Sequence, residues 1–254
     1  MDPTVDGPTV DELRAVFLAR DFADGEIGSC GLVATIPLAA MRLAQLTHAP
    51  NLQLAMEGAA NPSPRYLFEV PVDPEAHREG EAILDLYDLF VNSERGIDFW
   101  FMSGIQIDRL GNLNVHKIGG TRERPGFRGP GIGNTSVAMT SKRWYAYPGS
   151  HTPRVFVEKV DFVTTLGSGC RAIPGYGEGC RYVLSNLAIL DFEEMTGAMR
   201  LRHVMPGVTV EQVQAATGFA LLLHDEVTEV PAPTAQELRL LREVVDPRGA
   251  LRRR

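Results

Sequence analysis

Hydrophobic positions along the chain switch between helical and strand periods, and the switches predict its elements. Thr9-Val10-Asp11-Glu12 reads as a capping box, with Leu13, Val16 and Phe17 behind it at helical spacing. Gly25, Gly28 and Gly31 punctuate a short strand and turn. The pattern then predicts a helix over 37–46 that opens at Pro37 and turns Ala39, Leu43 and Leu46 inward. An apolar run, Leu52-Gln53-Leu54-Ala55-Met56, follows as a strand. Helix, strand, helix and strand in this order predict a parallel α/β sheet.

Residues 60–80 are rich in Pro, Glu and Asp and read as loop, and 82–90 reads as helix. Ile97-Asp98-Phe99-Trp100-Phe101-Met102 predicts a central strand ending at Ser103-Gly104. Residues 119–134 hold six glycines and two prolines and read as a long loop. A strand-like stretch covers 154–163. Residues 182–192 and 199–203 flank Glu193-Glu194-Met195-Thr196-Gly197 as a hairpin. Capping boxes at Thr209 and Thr234 start two more helices, and Asp246-Pro247 ends the second. With no internal repeat and no linker signal, 1–254 reads as a single domain.

The strand at 52–56 runs directly into Glu57-Gly58-Ala59-Ala60. Burying an unpaired carboxylate costs several kcal/mol. Two readings stand at this point. Glu57 either turns into solvent or pairs with a cation, or it meets something bulky that the small residues admit.

Composition narrows the choice of function. The chain has 254 residues, 44% hydrophobic and 22% charged, as expected of a globular protein with a real core. A net charge of -7 argues against a broad nucleic-acid surface. The longest apolar stretch, 31–41, is broken by Pro37 and too short to span a bilayer. The acidic start, with Asp2, Asp6, Asp11 and Glu12, lacks the layout of a secretory signal. Three cysteines, Cys30, Cys170 and Cys180, fit reduced thiols in the cytoplasm and lack zinc-ligand spacing, so no metal is expected.

Two stretches carry further candidate chemistry. Ser103-Gly104-Ile105-Gln106-Ile107-Asp108-Arg109-Leu110-Gly111-Asn112-Leu113-Asn114 follows a strand, where α/β sheets gather ligands. Asp108, Gly111 and Asn112 are also ordinary turn residues. Gly126-Phe127-Arg128-Gly129-Pro130-Gly131-Ile132-Gly133-Asn134 could form an anion nest from successive N–H groups. It has neither P-loop nor dinucleotide-fingerprint spacing. Lys117, Arg122, Arg124 and Arg128 surround it with only Glu123 to balance them. This is either a solvated basic loop or a site for phosphates or a carboxylate. His116, His151 and His203 are isolated and read as structural or surface residues. His224-Asp225-Glu226 reads as loop without metal spacing.

Taken in order, these residues resemble the β subunit of family I coenzyme A transferases, the glutaconate type especially. The resemblance covers most of the chain. It rests on Asp24-Gly25-Glu26-Ile27, Ala49-Pro50-Asn51 leading to Glu57-Gly58-Ala59, the 103–114 segment, Gly129 to Asn134, Val160-Asp161-Phe162-Val163-Thr164, Pro206-Gly207-Val208-Thr209 and Thr217-Gly218-Phe219. The resemblance implies an open, mostly parallel α/β sheet flanked by helices, the CoA-transferase (NagB/RpiA-like) fold. It also implies a half-enzyme that needs an α subunit, with acyl-CoA and an organic acid as substrates, coenzyme A as substrate and no permanent cofactor. Glu57 falls on the family's nucleophile, which relays CoA through a glutamyl-CoA thioester. Gly104, with Ile105, falls on the oxyanion donor. Ser103, Gln106, Asp108, Asn112, Arg128, Gly129, Gly131, Gly133 and Asn134 fall on the substrate and CoA site.

Departures from the family bear on substrate. Relatives carry Glu-Ser-Gly, Glu-Asn-Gly or Glu-Gly-Gly where this chain has Glu57-Gly58-Ala59. They carry Gly-Gly-Ala where it has Ser103-Gly104-Ile105, so Ile105 narrows the expected acyl site. The chain also resembles the β subunit of a hydrolase that opens a steroid-derived ring on a CoA thioester. That subgroup lacks the glutamate, so Glu57 favours transfer. A CoA-thioester hydrolase or C–C hydrolase subunit is the alternative.

Overall fold

The computed structural model describes residues 7–31, 34–70, 73–132 and 135–253. The chain divides into two compact units, Met1–Asp98 with Pro231–Arg254, and Phe99–Val230.

The first unit opens with helix α1 (Val10–Ala19), capped as the sequence predicts. The Thr9 hydroxyl accepts from the Glu12 N–H at 3.2 Å, and the Glu12 carboxylate accepts from the Thr9 N–H at 2.8 Å. Strand β1 (Ile27–Ser29), helix α2 (Thr35–Leu46) and strand β2 (Gln53–Met56) form a parallel crossover, with Ile27 opposite Gln53 and Gly28 opposite Leu54. Pro37 sits in the first turn of α2, where its missing N–H costs nothing. Ala39 and Leu43 are buried as expected, whereas Leu46, at the last position, is 37% exposed. α1 packs on α2.

β2 turns back into strand β3 (Ala59–Ala60), pairing Met56 with Ala59 and Ala55 with Ala60. Asn61 closes this hairpin, donating its N–H to the Leu54 carbonyl at 2.7 Å and accepting from the Leu54 N–H through Oδ1 at 2.7 Å. The expected helix over 82–90 is corrected. Residues 81–84 run extended beside 58–60, and helix α3 (Leu86–Gly96) starts only at the Asp85 cap. The Asp85 carboxylate takes the Asp88 N–H at 2.7 Å. The C-terminal helix Ala235–Leu240 begins at the predicted Thr234 box.

The second unit holds a mixed sheet. Its buried centre is strand β4 (Phe99–Met102), the predicted central strand. A small sheet follows, built from β5 (Gln106–Asp108) and β6 (Leu113–Asn114). Next comes a hairpin, β7 (Lys117–Gly120) and β8 (Pro125–Arg128), where a long loop was expected. Helix α4 (Thr135–Thr140) leads to strand β9 (Arg143–Ala146), parallel to β4. Only Phe156–Val157 of the strand-like stretch at 154–163 forms a strand, β10, which pairs with β5. Strands β11 (Cys180–Leu184), β12 (Ala188–Phe192) and β13 (Met199–Val204) continue the main sheet, with β12 and β13 as the predicted hairpin.

Helix α5 (Val210–Ala215) starts at the Thr209 box. Strand β14 (Leu222–Glu229) then adds parallel to β13, which corrects the loop reading of His224-Asp225-Glu226. β4 and β9 are buried along their whole length, as parallel strands covered on both faces are.

Candidate functional site

Glu57 and Gly58 are the two central residues of the β2–β3 turn. Glu57 therefore sits at a hairpin tip, and its half-buried side chain lines a groove of ≈ 740 Å³. His77 and residues 80–85 line the same groove. Gly58 has φ 101°, a conformation that a side chain makes costly. A Cβ there would also lie 2.1 Å from Nε2 of His77.

His77 ends a short 3-10 turn, Pro74–His77, capped by Asp73. That turn is fixed by Glu75, whose carboxylate accepts from the Arg65 Nη2 at 2.7 Å and the Arg65 N–H at 2.7 Å.

Two carboxylates of the same unit, Glu12 and Glu237, are held by arginines. Glu12 takes two 2.8 Å bonds from Arg242. Glu237 takes 2.8 and 2.6 Å bonds from Arg20. Arg20 and the Thr234 cap hold the Glu237 carboxyl down to about 2. Among the described residues, the Glu57 carboxylate has no ion pair and no hydrogen bond. Ile83, which lines the same groove, is 87% exposed.

In the second unit, the 103–114 segment spends most of its polar groups on the fold. Asp108 Oδ1 accepts from the N–H groups of Leu110 and Asn112, both at 3.0 Å, and Oδ2 accepts from Asn112 Nδ2 at 3.1 Å. Asn112 Oδ1 accepts from the Gly167 N–H at 3.0 Å. Asn114 Nδ2 donates to Gln106 Oε1 at 2.7 Å. These bonds satisfy the turn reading of the segment. Ser103 is exposed.

The Ile105 N–H donates to the Asn114 carbonyl at 2.8 Å, so the donor role expected of it is corrected: that hydrogen is already used. Among the described residues the Gly104 N–H has no such bond. A Cβ at Gly104 would fall 2.5 Å from Leu113 Cδ1, which explains the glycine.

The glycine loop behaves differently from the expected nest. The Gly129 N–H donates to the His116 carbonyl at 2.8 Å, and the Gly131 N–H donates to the Val115 carbonyl at 3.0 Å. Those donors face protein, and a Cβ at Gly129 would sit 2.3 Å from the Val115 carbonyl oxygen. Gly133 and Asn134 lie outside the described residues. Arg128 instead belongs to the β7–β8 hairpin, opposite Lys117.

His151 is structural: it is buried, stacked on Phe156 at 3.7 Å, and bonded to Ser185 and Thr217 hydroxyls at 2.7 and 3.0 Å. His203 bonds Thr228 at 2.9 Å. All three cysteines are free and buried, and burial pushes the Cys30 thiol up to about 12. Among the described residues no group of His, Cys, Asp and Glu could hold a metal ion. None of their helices is long and apolar enough to cross a membrane.

Residues 88–216 match the family model described as Coenzyme A transferase. The cholesterol ring-cleaving hydrolase IpdB subunit of Rhodococcus jostii is 35% identical over 98% of this chain and 97% of its own. The chain belongs to the coenzyme A transferase family.

Another family member, the B subunit of the 3-oxoadipate CoA-transferase of Pseudomonas knackmussii, is 29% identical over 92% of each chain. The crystal structure of glutaconate coenzyme A-transferase from Acidaminococcus fermentans superposes with a TM-score of 0.79 at 27% identity, covering 96% of this chain and 98% of that one. The α/β coenzyme A transferase fold expected from the sequence is therefore the one observed.

Proposed function

We propose that this chain is the β subunit of a cytoplasmic coenzyme A transferase, one transferase domain over 1–254 that works with an α subunit. Glu57 is its nucleophile. The observation that carries this reading is the unspent Glu57 carboxylate at a hairpin tip, open to a groove.

The chemistry balances without metal, redox partner or net proton transfer. A Glu57 oxygen attacks the acyl-CoA carbonyl, the C–S bond breaks, and CoA leaves as thiolate from a mixed anhydride. The thiolate attacks the Glu57 carbonyl carbon, releasing the first acid as carboxylate and leaving a glutamyl-CoA thioester. An acceptor carboxylate repeats both steps in reverse, restoring the Glu57 carboxylate. Splitting the exchange this way suits a weak nucleophile. Each attack passes through an oxyanion that needs a donor.

Exposed Ile83, which lines the same groove as Glu57, supports a covering partner, since large exposed apolar side chains at a site mark interaction surfaces. Both named sequence relatives are themselves called subunits.

The 35% identity to a ring-cleaving hydrolase subunit favours a second reading, in which water takes the place of the acceptor acid. Incubating the assembled two-subunit enzyme with acyl-CoA, with and without acceptor acids, separates the two. Transfer predicts acceptor-dependent turnover and a new acyl-CoA. Acceptor-independent turnover, either release of free CoA or opening of a ring with CoA retained on the product, would establish hydrolysis instead.

A further inference from the structure

The β7–β8 hairpin and the 160–164 segment enclose a second groove, of ≈ 580 Å³, within the second unit. His116, Lys117, Arg122, Arg128, Gly131 and Phe162 define it, and among the described residues no acidic one lines it. Lys117 and Arg128 stand directly opposite each other across the hairpin, a like-charge pairing that costs stability. Among the described residues no carboxylate pairs with Lys117, Arg122 or Arg128. The neighbouring Asp161 carboxylate is occupied by the Gly119 N–H at 2.8 Å. A chain of net charge -7 thus concentrates unpaired cations in one concavity.

His116 is held in place by Thr164. The Thr164 hydroxyl oxygen accepts from the Val115 N–H at 3.0 Å, so its own proton is free to donate to His116 Nδ1, 2.7 Å away. When that hydroxyl donates to Nδ1, the neutral ring carries its proton on Nε2. Nε2 lies 3.5 Å from where a Cβ on Gly131 would be, placing it at the groove wall. The Phe162 ring packs at 5.0 Å from the His116 ring and stays 38% exposed, leaving aromatic surface beside the cations.

We propose that this groove binds the phosphate groups of a nucleotide, with Lys117, Arg122, Arg128 and His116 Nε2–H as donors and Phe162 as the face for the base. Guanidinium and ammonium groups match phosphate oxygens, and bases stack on aromatic rings. The phosphorylated adenosine can come from coenzyme A, which rests on the reading above, or from a free nucleotide, which does not.

Titration calorimetry of adenosine 3′,5′-bisphosphate into the full chain, and into its complex with the α subunit, tests the proposal. Binding should weaken with added salt, and by about tenfold or more in Lys117→Ala/Arg128→Ala. Arg239→Ala, an exposed charge outside the groove, controls for net charge and should leave binding intact. Absent binding at low ionic strength, or binding indifferent to the double variant, overturns the proposal. If binding weakens as expected, the kcat/KM ratio for acyl-CoA over acyl-pantetheine identifies the source. A fall in that ratio in the double variant assigns the groove to coenzyme A, and an unchanged ratio assigns it to a free nucleotide. An enzyme that turns over neither donor would sink the transferase reading while leaving the binding result standing.

Discussion

The His77 imidazole fills the space that a side chain at Gly58 would need, since a Cβ there would lie 2.1 Å from its Nε2. Gly58→Ala therefore meets two obstacles, the ring and a φ of 101°. We expect a stability loss of about 1–3 kcal/mol in urea unfolding, the range for backbone strain and overpacking. Adding His77→Ala should restore only part of it, because removing the ring leaves the backbone strain. Full restoration would show that the turn tolerates alanine.

The exposed Ile83 beside the Glu57 groove gives an assembly prediction. Ile83→Asp should weaken association with the α subunit in sedimentation experiments. The chain by itself should keep its melting temperature, since an exposed residue contributes little to its own fold. Unchanged association would place the partner elsewhere.

Acid stability should fall in two stages. Burial pushes His151 down to about 4 from 6.5, so the unfolded chain takes up that proton first. Stability from this group is complete above 6.5 and is lost as pH falls towards about 4, at no more than about 1.4 kcal/mol per pH unit. Glu237, lowered to about 2 from 4.5, acts further down. Its pairing contributes above 4.5 and is lost as pH falls towards about 2. Glu12 shifts the same way, because Arg242 and the Thr9 N–H outweigh the opposing effect of its burial. Urea midpoints measured across this range should show His151→Gln flattening the upper stage and Glu237→Gln the lower.

Local chemistry made much of the fold legible. The Thr9, Thr209 and Thr234 boxes each cap a helix, because a side chain three residues on answers the cap within one turn. The apolar runs at 52–56 and 97–102 contain strands, the first buried at Leu54 and Met56 and the second along its whole length. Long-range pairing was less legible. Residues 81–84 are extended because Gly58 and Ala60 donate to the Leu84 and Ala82 carbonyls, partners remote in sequence. β14 escaped because it is exposed or half-exposed throughout and shows no buried alternation. The β7–β8 hairpin was hidden by its glycines and prolines, which normally mark loops.

The site was legible in part. The strand-end position of Glu57 drew attention to the residue, but nothing in the sequence indicated a hairpin tip or a groove lined by His77. Glycines 129 and 131 suggested an anion nest, yet their N–H groups face Val115 and His116, whereas the neighbouring side chains carry the charge.

Peptide mass spectrometry of the two-subunit enzyme after incubation with acyl-CoA and hydroxylamine tests the role of Glu57 most directly. A glutamyl-CoA thioester predicts a hydroxamate on the peptide containing Glu57, absent without acyl-CoA and absent in Glu57→Gln. An enzyme that turns over while that peptide stays unmodified, or a Glu57→Gln variant with undiminished turnover, would contradict covalent relay through this carboxylate.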